Sequence, residues 1–283
     1  MTQVDSNSNL SITFWGVRGS IPTPVSANLG YGGNTACLAI DRGDAILILD
    51  AGSGIRTLGV ELCARPALPE IHLLFTHFHW DHIQGLPFFA PLFHPEARII
   101  LYSFHPPEKL RSILAGQMVA PYFPIDFLQV SQHVEFRQIE HSTLPIAGLT
   151  VQSFDLHHPQ RSQGYRISDG AHSIVIATDH EHGDPEADAR LNTVARGADL
   201  LVYDAQYTPL EYEKRHGWGH STWRDAVSVA FEAQIPQLVL FHHDPAHDDA
   251  TLDAILAEAQ TQFPLTCCAR EGMTLRLETP ASA

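Results

Sequence analysis

The chain has 283 residues, 44% hydrophobic and 17% charged, which suits a large buried core and excludes a disordered tail. Seventeen Lys and Arg against 32 Asp and Glu leave a formal charge of −15 and a pI near 5.5. That balance opposes a nucleic-acid platform, because phosphate backbones need a basic surface, but it tolerates a small anion in a locally positive pocket. Histidine is the anomaly: 18 of them, more than all Lys and Arg together, which points toward metal chemistry.

Residues 1–10, MTQVDSNSNL, lack the basic start and apolar run of a signal peptide. Strand-like runs then occupy Leu10–Val17, Ala36–Asp41, Ala45–Asp50, Ile71–Thr76 and Arg98–Tyr102, many rich in β-branched or aromatic residues. The segment Phe104–Phe127 carries a helical pattern at Glu108–Val119 flanked by prolines, and reads as an excursion over a pocket. Further strand patterns follow at Val134–Ile139, Leu149–Leu156, Ser173–Thr178 and Leu200–Asp204. A helix is expected over Thr222–Ala233, with Ser221 and Thr222 as caps, then a strand over Gln237–His242. Leu252, Ile255, Leu256 and Ala259 make one apolar face of a helix over Asp248–Gln262, and Met273–Glu278 reads as a last strand. The order indicates sheets covered by helices, and no linker, repeat or low-complexity tract divides residues 1–283 into separate domains. No apolar run is long enough to span a membrane. Cys37, Cys63, Cys267 and Cys268 have no disulfide or zinc spacing, so a reducing cytoplasm is the expected location.

The decisive segment is Thr76-His77-Phe78-His79-Trp80-Asp81-His82, directly after the apolar run Ile71–Phe75. His77 and His79, two apart at a strand end, can face one point, while Asp81 and His82 on the next turn can face a second. Imidazole and carboxylate donors of this kind suit zinc-type metals. A solvated histidine-rich loop does not need this order of residues after a buried strand.

The segment resembles the HxHxDH signature of the metallo-β-lactamase-fold hydrolases. Other matches resemble the ribonuclease Z and cyclic-phosphodiesterase branch. They are Phe14-Trp15-Gly16-Val17-Arg18-Gly19-Ser20-Ile21-Pro22 with Tyr31-Gly32-Gly33-Asn34-Thr35, His158 before Gly164-Tyr165, Ala177-Thr178-Asp179, Gly219-His220-Ser221-Thr222 and Leu240-Phe241-His242. The resemblance implies a four-layer αββα fold, two β-sheets sandwiched between helices. It implies one metal held by His77, His79 and His158, a second by Asp81, His82 and His242, and a bridge through Asp179. The ions would be zinc, with manganese as the alternative. His220 would act as general acid with Asp204 orienting it, and Asp81 would also serve catalysis. His157 is a rival to His158, and His243 to His242. Arg161, Arg166, Lys214 and Arg215 are candidate phosphate contacts, though a lone basic residue is more often solvated surface.

The expected activity is hydrolysis of a small cyclic phosphate or cyclic nucleotide by a metal-bridging hydroxide. The alternative is a ribonuclease Z-like endonuclease that processes tRNA 3′ ends, but the chain lacks the basic Gly/Pro-rich arm usual for that activity. Thioester or lactam hydrolysis fits the GHST and Gly164-Tyr165 elements less well. A diiron electron-transfer protein of this fold would need a flavin domain for which no residues remain, and a silent metal sensor would not need a complete ligand set with an acid beside it. The resemblance also implies a homodimer.

Overall fold

In the computed structural model, residues 10–277 are described. The signal-peptide reading of residues 1–9 and the end of the last strand pattern at Glu278 lie outside them. Strands β1 (Leu10–Gly16), β2 (Cys37–Asp41), β3 (Ala45–Leu49), β4 (Glu70–Leu74), β5 (Ile99–Ser103), β6 (Val134–Gln138) and β14 (Thr274–Leu277) form one sheet, in the order β14-β1-β2-β3-β4-β5-β6. Strands β7 (Thr143–Ile146), β8 (Leu149–Leu156), β9 (Ser162–Ser168), β10 (Ser173–Ala177), β11 (Leu200–Asp204), β12 (Gln237–Phe241) and β13 (Thr266–Cys268) form the second, in sequential order. Each sheet runs through three antiparallel pairings and then three parallel ones.

Strand alternation explains how the layers stack. In β3, Leu47 and Leu49 face the core shared with the second sheet, where Ile174, Ile176, Val202 and Phe241 meet them. Ile46 and Ile48 face the opposite way, under Leu58 and Leu62 of α1 (Ile55–Cys63) and Leu110 and Leu114 of α3 (Pro107–Gln117). The second sheet turns Val175, Leu201 and Leu238 outward beneath α5 (Pro185–Ala195), α7 (Trp223–Glu232) and α8 (Asp249–Gln262). Burial on both faces is why these parallel strands read as continuous apolar runs. The result is the expected αββα sandwich.

Several elements escaped the sequence patterns for local reasons. Strand β7 is short and contains Pro145, tolerated there because it lies at the sheet edge. Strand β9 carries Gly164, where an added Cβ would come 2.4 Å from the Phe154 ring, so close packing outweighs the weak propensity. Helix α5 opens on Asp184, which caps Ala187, with Pro185 in the first turn, a start signal of the usual kind. The Phe104–Phe127 excursion is mostly structural: Leu110 and Leu114 anchor its helix to the first sheet. Its Phe104, His105 and Ile113 line a small cavity beside the site.

The parallel strands β3, β4, β10, β11 and β12 end at one edge of the sandwich, where chemistry-bearing residues follow them. Asp50, Asp179 and His242, each just past such a strand, take left-handed φ values of 61°, 58° and 61°. Non-glycine residues hold that conformation only when the surroundings over-determine it, and such positions cluster at functional sites.

Candidate metal centre

The loop after β4 carries His77 and His79 and turns into the short helix α2 (Trp80–Ile83), which presents Asp81 and His82. The loop between β8 and β9 adds His158, and the ends of β10 and β12 add Asp179 and His242. All seven residues expected from the resemblance converge. Nε2 of His158 lies 3.2 Å from Nδ1 of His79. Nε2 of His82 lies 3.2 Å from Nε2 of His242 and 3.3 Å from Asp81 Oδ2. Between the two groups stands Asp179: Oδ1 is 3.7 Å from His77 and 3.8 Å from His158, and Oδ2 is 3.2 Å from His82 and 3.4 Å from His242.

Every one of the five rings has its outer nitrogen against an acceptor. His77 Nδ1 meets the Thr76 hydroxyl at 3.0 Å, which itself donates to Asp50. His79 Nε2 meets Gln160 Oε1 at 3.1 Å, and His82 Nδ1 meets Asp50 Oδ2 at 2.9 Å. His158 Nδ1 meets the Gly219 carbonyl at 2.8 Å, and His242 Nδ1 meets Gln206 Oε1 at 2.9 Å. A neutral imidazole bonded this way carries its proton outside and turns a lone pair inward. Inward nitrogens 3.2 Å apart, together with a buried His77 Nε2 that has no hydrogen-bond partner, are a donor set that suits divalent metal ions.

Sequence reasoning missed the outer partners. Asp50 is fully buried and accepts from the Thr76 amide and hydroxyl as well as from His82. The only signal was an aspartate closing an apolar strand. Gln206 follows β11 with no pattern to mark it. Ser20 donates its amide to Asp81 Oδ2 at 2.7 Å, which gives the opening motif a structural purpose. Gly19 lies so close that an added Cβ would sit 2.5 Å from the His242 ring.

His220 lies at the rim, with Nδ1 2.8 Å from Asp204 Oδ2. Burial alone would push its pKa down, but the Asp204 carboxylate outweighs burial and raises it to about 9. Burial holds His158 down at about 4. Burial also opposes ionisation of Asp179, yet His242, His82 and His77 draw its carboxyl well below the usual range. Asp204 does more than orient one ring: it also accepts from the amides of Asp179, Gln206 and Ser221.

The rival histidines point elsewhere. His157 turns Nδ1 to the Glu181 carbonyl, and His243 turns Nε2 to the Ala269 carbonyl, with burial holding its pKa at about 3. The His243 ring therefore supports none of the site residues. Three of the four candidate phosphate contacts are occupied: Arg161 pairs with Asp155 and Glu140, Arg215 with Asp244, and Arg166 donates to the carbonyls of Val194 and Arg196. His180, His182 and Asp188 form another cluster, but His180 Nδ1 accepts from the His157 amide. Its Nε2 therefore carries the proton and donates to Asp188, an ordinary hydrogen bond.

A cavity of about 490 Å³ opens over the centre, lined by Ser20, Phe78, His79, Trp80, Asp81, Gln160, Asp179 and His220. A side lobe of about 170 Å³ adjoins it, walled by Phe78, Phe104, His105, Ile113 and Arg161. Among the described residues, no helix is long and apolar enough to cross a membrane.

Comparison with known proteins agrees with this architecture. Residues 46–243 match the family model described as the beta-lactamase superfamily domain. The chain is 24% identical to a ribonuclease Z of Haloarcula marismortui, over 96% of this chain and 98% of that one. Among solved structures, a diphosphatase of the PhnP family superposes with a TM-score of 0.71 at 21% identity, covering 96% of this chain and 98% of that chain. Zn(2+)-bound PqqB from Methylobacterium extorquens gives 0.72 at 17% identity, covering 94% of this chain and 100% of that chain. The chain belongs to the beta-lactamase superfamily domain family and is a metal-dependent hydrolase.

Proposed function

We propose that the protein is a dinuclear metal phosphodiesterase acting on a small cyclic phosphate or cyclic nucleotide. The observation that carries this reading is Asp179, whose two oxygens face different histidine groups beside the His220–Asp204 pair. In the proposal His77, His79 and His158 hold one ion, Asp81, His82 and His242 the other, and Asp179 both. Zinc is the proposed metal, since five imidazoles and two carboxylates match its preferred donors, and a structural neighbour is described as zinc-bound. Two such ions supply Lewis acidity toward the phosphoryl oxygens and lower the pKa of water toward neutrality.

The chain's own groups do the rest. Ser20 holds the Asp81 carboxylate through its amide, and Asp50, Gln206 and the Gly219 carbonyl keep three rings in the inward-facing tautomer. His220, its Nδ1 proton on Asp204, turns its other nitrogen toward the cavity and protonates the leaving oxygen. Among the described residues, no Lys or Arg lines the main cavity, so the phosphate charge has no arginine clamp. This favours a single diester over a substrate with an additional phosphate.

The second reading, tRNA 3′ processing, has the curated ribonuclease Z relatives in its favour. The charge of −15 stands against it, because structured RNA needs a basic track. A cytoplasmic homodimer acting as one catalytic unit per chain completes the proposal. Purified protein assayed against cyclic nucleotides, ribose cyclic phosphate and precursor tRNA tests it. Turnover confined to precursor tRNA would reverse the ranking.

A further inference from the structure

Gln160 stands at the neck between the main cavity and the side lobe and lines both. It lies in the tight turn from β8 to β9, where the Arg161 amide closes back on the His158 carbonyl. Gln160 and Arg161 both take left-handed φ values, 65° and 74°. Two consecutive non-glycine residues there are a strained arrangement, of the kind retained where a side chain must be aimed. The aim is visible. As a metal donor turned inward beside His158 Nε2, His79 Nδ1 would be unprotonated, which leaves the ring's proton on Nε2, 3.1 Å from Gln160 Oε1. The Gln160 oxygen must then be the acceptor, and its NH₂ group is left to the solvent-open cavity.

We infer that Gln160 serves two partners at once. Its carbonyl positions His79, and its amide NH₂ donates to an oxygen of the phosphodiester substrate. The second half rests on the phosphodiesterase reading above, the first only on the metal site. Among the described residues, only Phe78 and His79 also line both cavities; Phe78 has no donor, and His79 Nε2 faces the Gln160 oxygen. The one guanidinium there, Arg161, is committed to Asp155 and Glu140 and lies over the Phe104 ring.

The two halves separate by substitution. Gln160→Glu keeps an acceptor for His79 but replaces the donor with a negative charge. Gln160→Leu removes both. Zinc retention is read by competition with a chelator, and kinetics by steady-state hydrolysis of a 2′,3′-cyclic nucleotide at saturating zinc. Gln160→Leu is expected to release zinc about 10–100-fold more readily, the usual cost of losing a histidine's outer partner, with Gln160→Glu restoring wild-type retention. Gln160→Glu is expected to raise KM about tenfold or more with kcat within about threefold, because a charge-assisted hydrogen bond in the bound state is lost. That rise should persist at 0.5 M salt, where long-range repulsion is screened.

Wild-type zinc retention in Gln160→Leu would overturn the positioning half. An unchanged KM in Gln160→Glu, or a rise that salt abolishes, would overturn the substrate contact. A wild-type protein that loads zinc but cleaves no phosphodiester refutes the proposed function instead. The retention measurement still decides the role of Gln160 toward His79.

Discussion

Asp50 and His82 lie on different elements, 32 residues apart, yet the carboxylate Oδ2 sits 2.9 Å from the ring Nδ1 with both side chains fully buried. The pair ties the end of β3 to α2 and sets which face of His82 looks into the centre. Asp50→Asn tests it cleanly, since asparagine tolerates the left-handed backbone that Asp50 holds. The amide oxygen can take the place of Oδ1, facing the Thr76 amide, or of Oδ2, facing His82 and the Thr76 hydroxyl, but not both, so a buried donor loses its partner. We expect metal affinity to fall about 10–100-fold, measured by chelator competition. Unaltered affinity would make Asp50 a purely structural residue.

Asp179→Ala should remove both metals, because the carboxylate faces both histidine groups. His242→Ala should remove one. Elemental analysis after dialysis gives the ratio: close to two equivalents in the wild type, one in the second variant and near none in the first. Equal losses in the two variants would contradict a shared carboxylate.

His220→Ala should lose about 10²–10⁴-fold on a cyclic nucleotide, whose alkoxide leaves poorly without a proton. On bis(nitrophenyl) phosphate it should keep much of its rate, with metal content unchanged. Asp204→Asn should show a weaker version of this selectivity. It should also hold metal less well, because Asp204 accepts the amide of Asp179. Parallel losses on both substrates by His220→Ala would assign the ring to structure instead of proton transfer.

Gly19→Ala places a methyl group 2.5 Å from the His242 ring and 2.8 Å from Gln206 Oε1. The ring must move, since the glycine backbone is pinned by the hydrogen bond its amide donates to the His243 carbonyl. Selective loss of one metal equivalent is the expected result, with the far-ultraviolet circular dichroism of the wild type. A variant with two equivalents and full activity would mean that the loop yields more easily than the ring.

Hydrolysis of small diesters should depend weakly on salt, since few phosphates are neutralised on binding. Any binding of precursor tRNA should collapse as salt rises. Comparable cleavage of precursor tRNA and the best cyclic phosphate at 0.15 M salt would favour the ribonuclease reading.

How much of this was legible depended on distance along the chain. His77, His79, Asp81 and His82 stand within six residues after a buried strand, so their spacing alone pointed to metal. His158, Asp179 and His242 are isolated in sequence and were reached through resemblance. Asp50, Gln206 and Gln160 carried no such mark, because a polar residue at a strand end serves equally well as a turn former. Only the convergence of β3, β4, β11 and the β8–β9 turn gives them partners. Strands β7 and β9 stayed hidden because proline and glycine obscure a strand whose place is set by its neighbours.

The last strand, β14, pairs with the first, Leu277 opposite Leu10, and it is the only neighbour of β1 on that side. During synthesis β1 therefore waits with one edge bare until nearly the whole described chain has emerged. The other strands, β2 to β6 and β7 to β13, are laid down in spatial order. The first sheet, and with it the loop that presses Ser20 onto Asp81, should close last. Metal uptake would then report the completed molecule and not an intermediate, making zinc loading a late checkpoint of assembly.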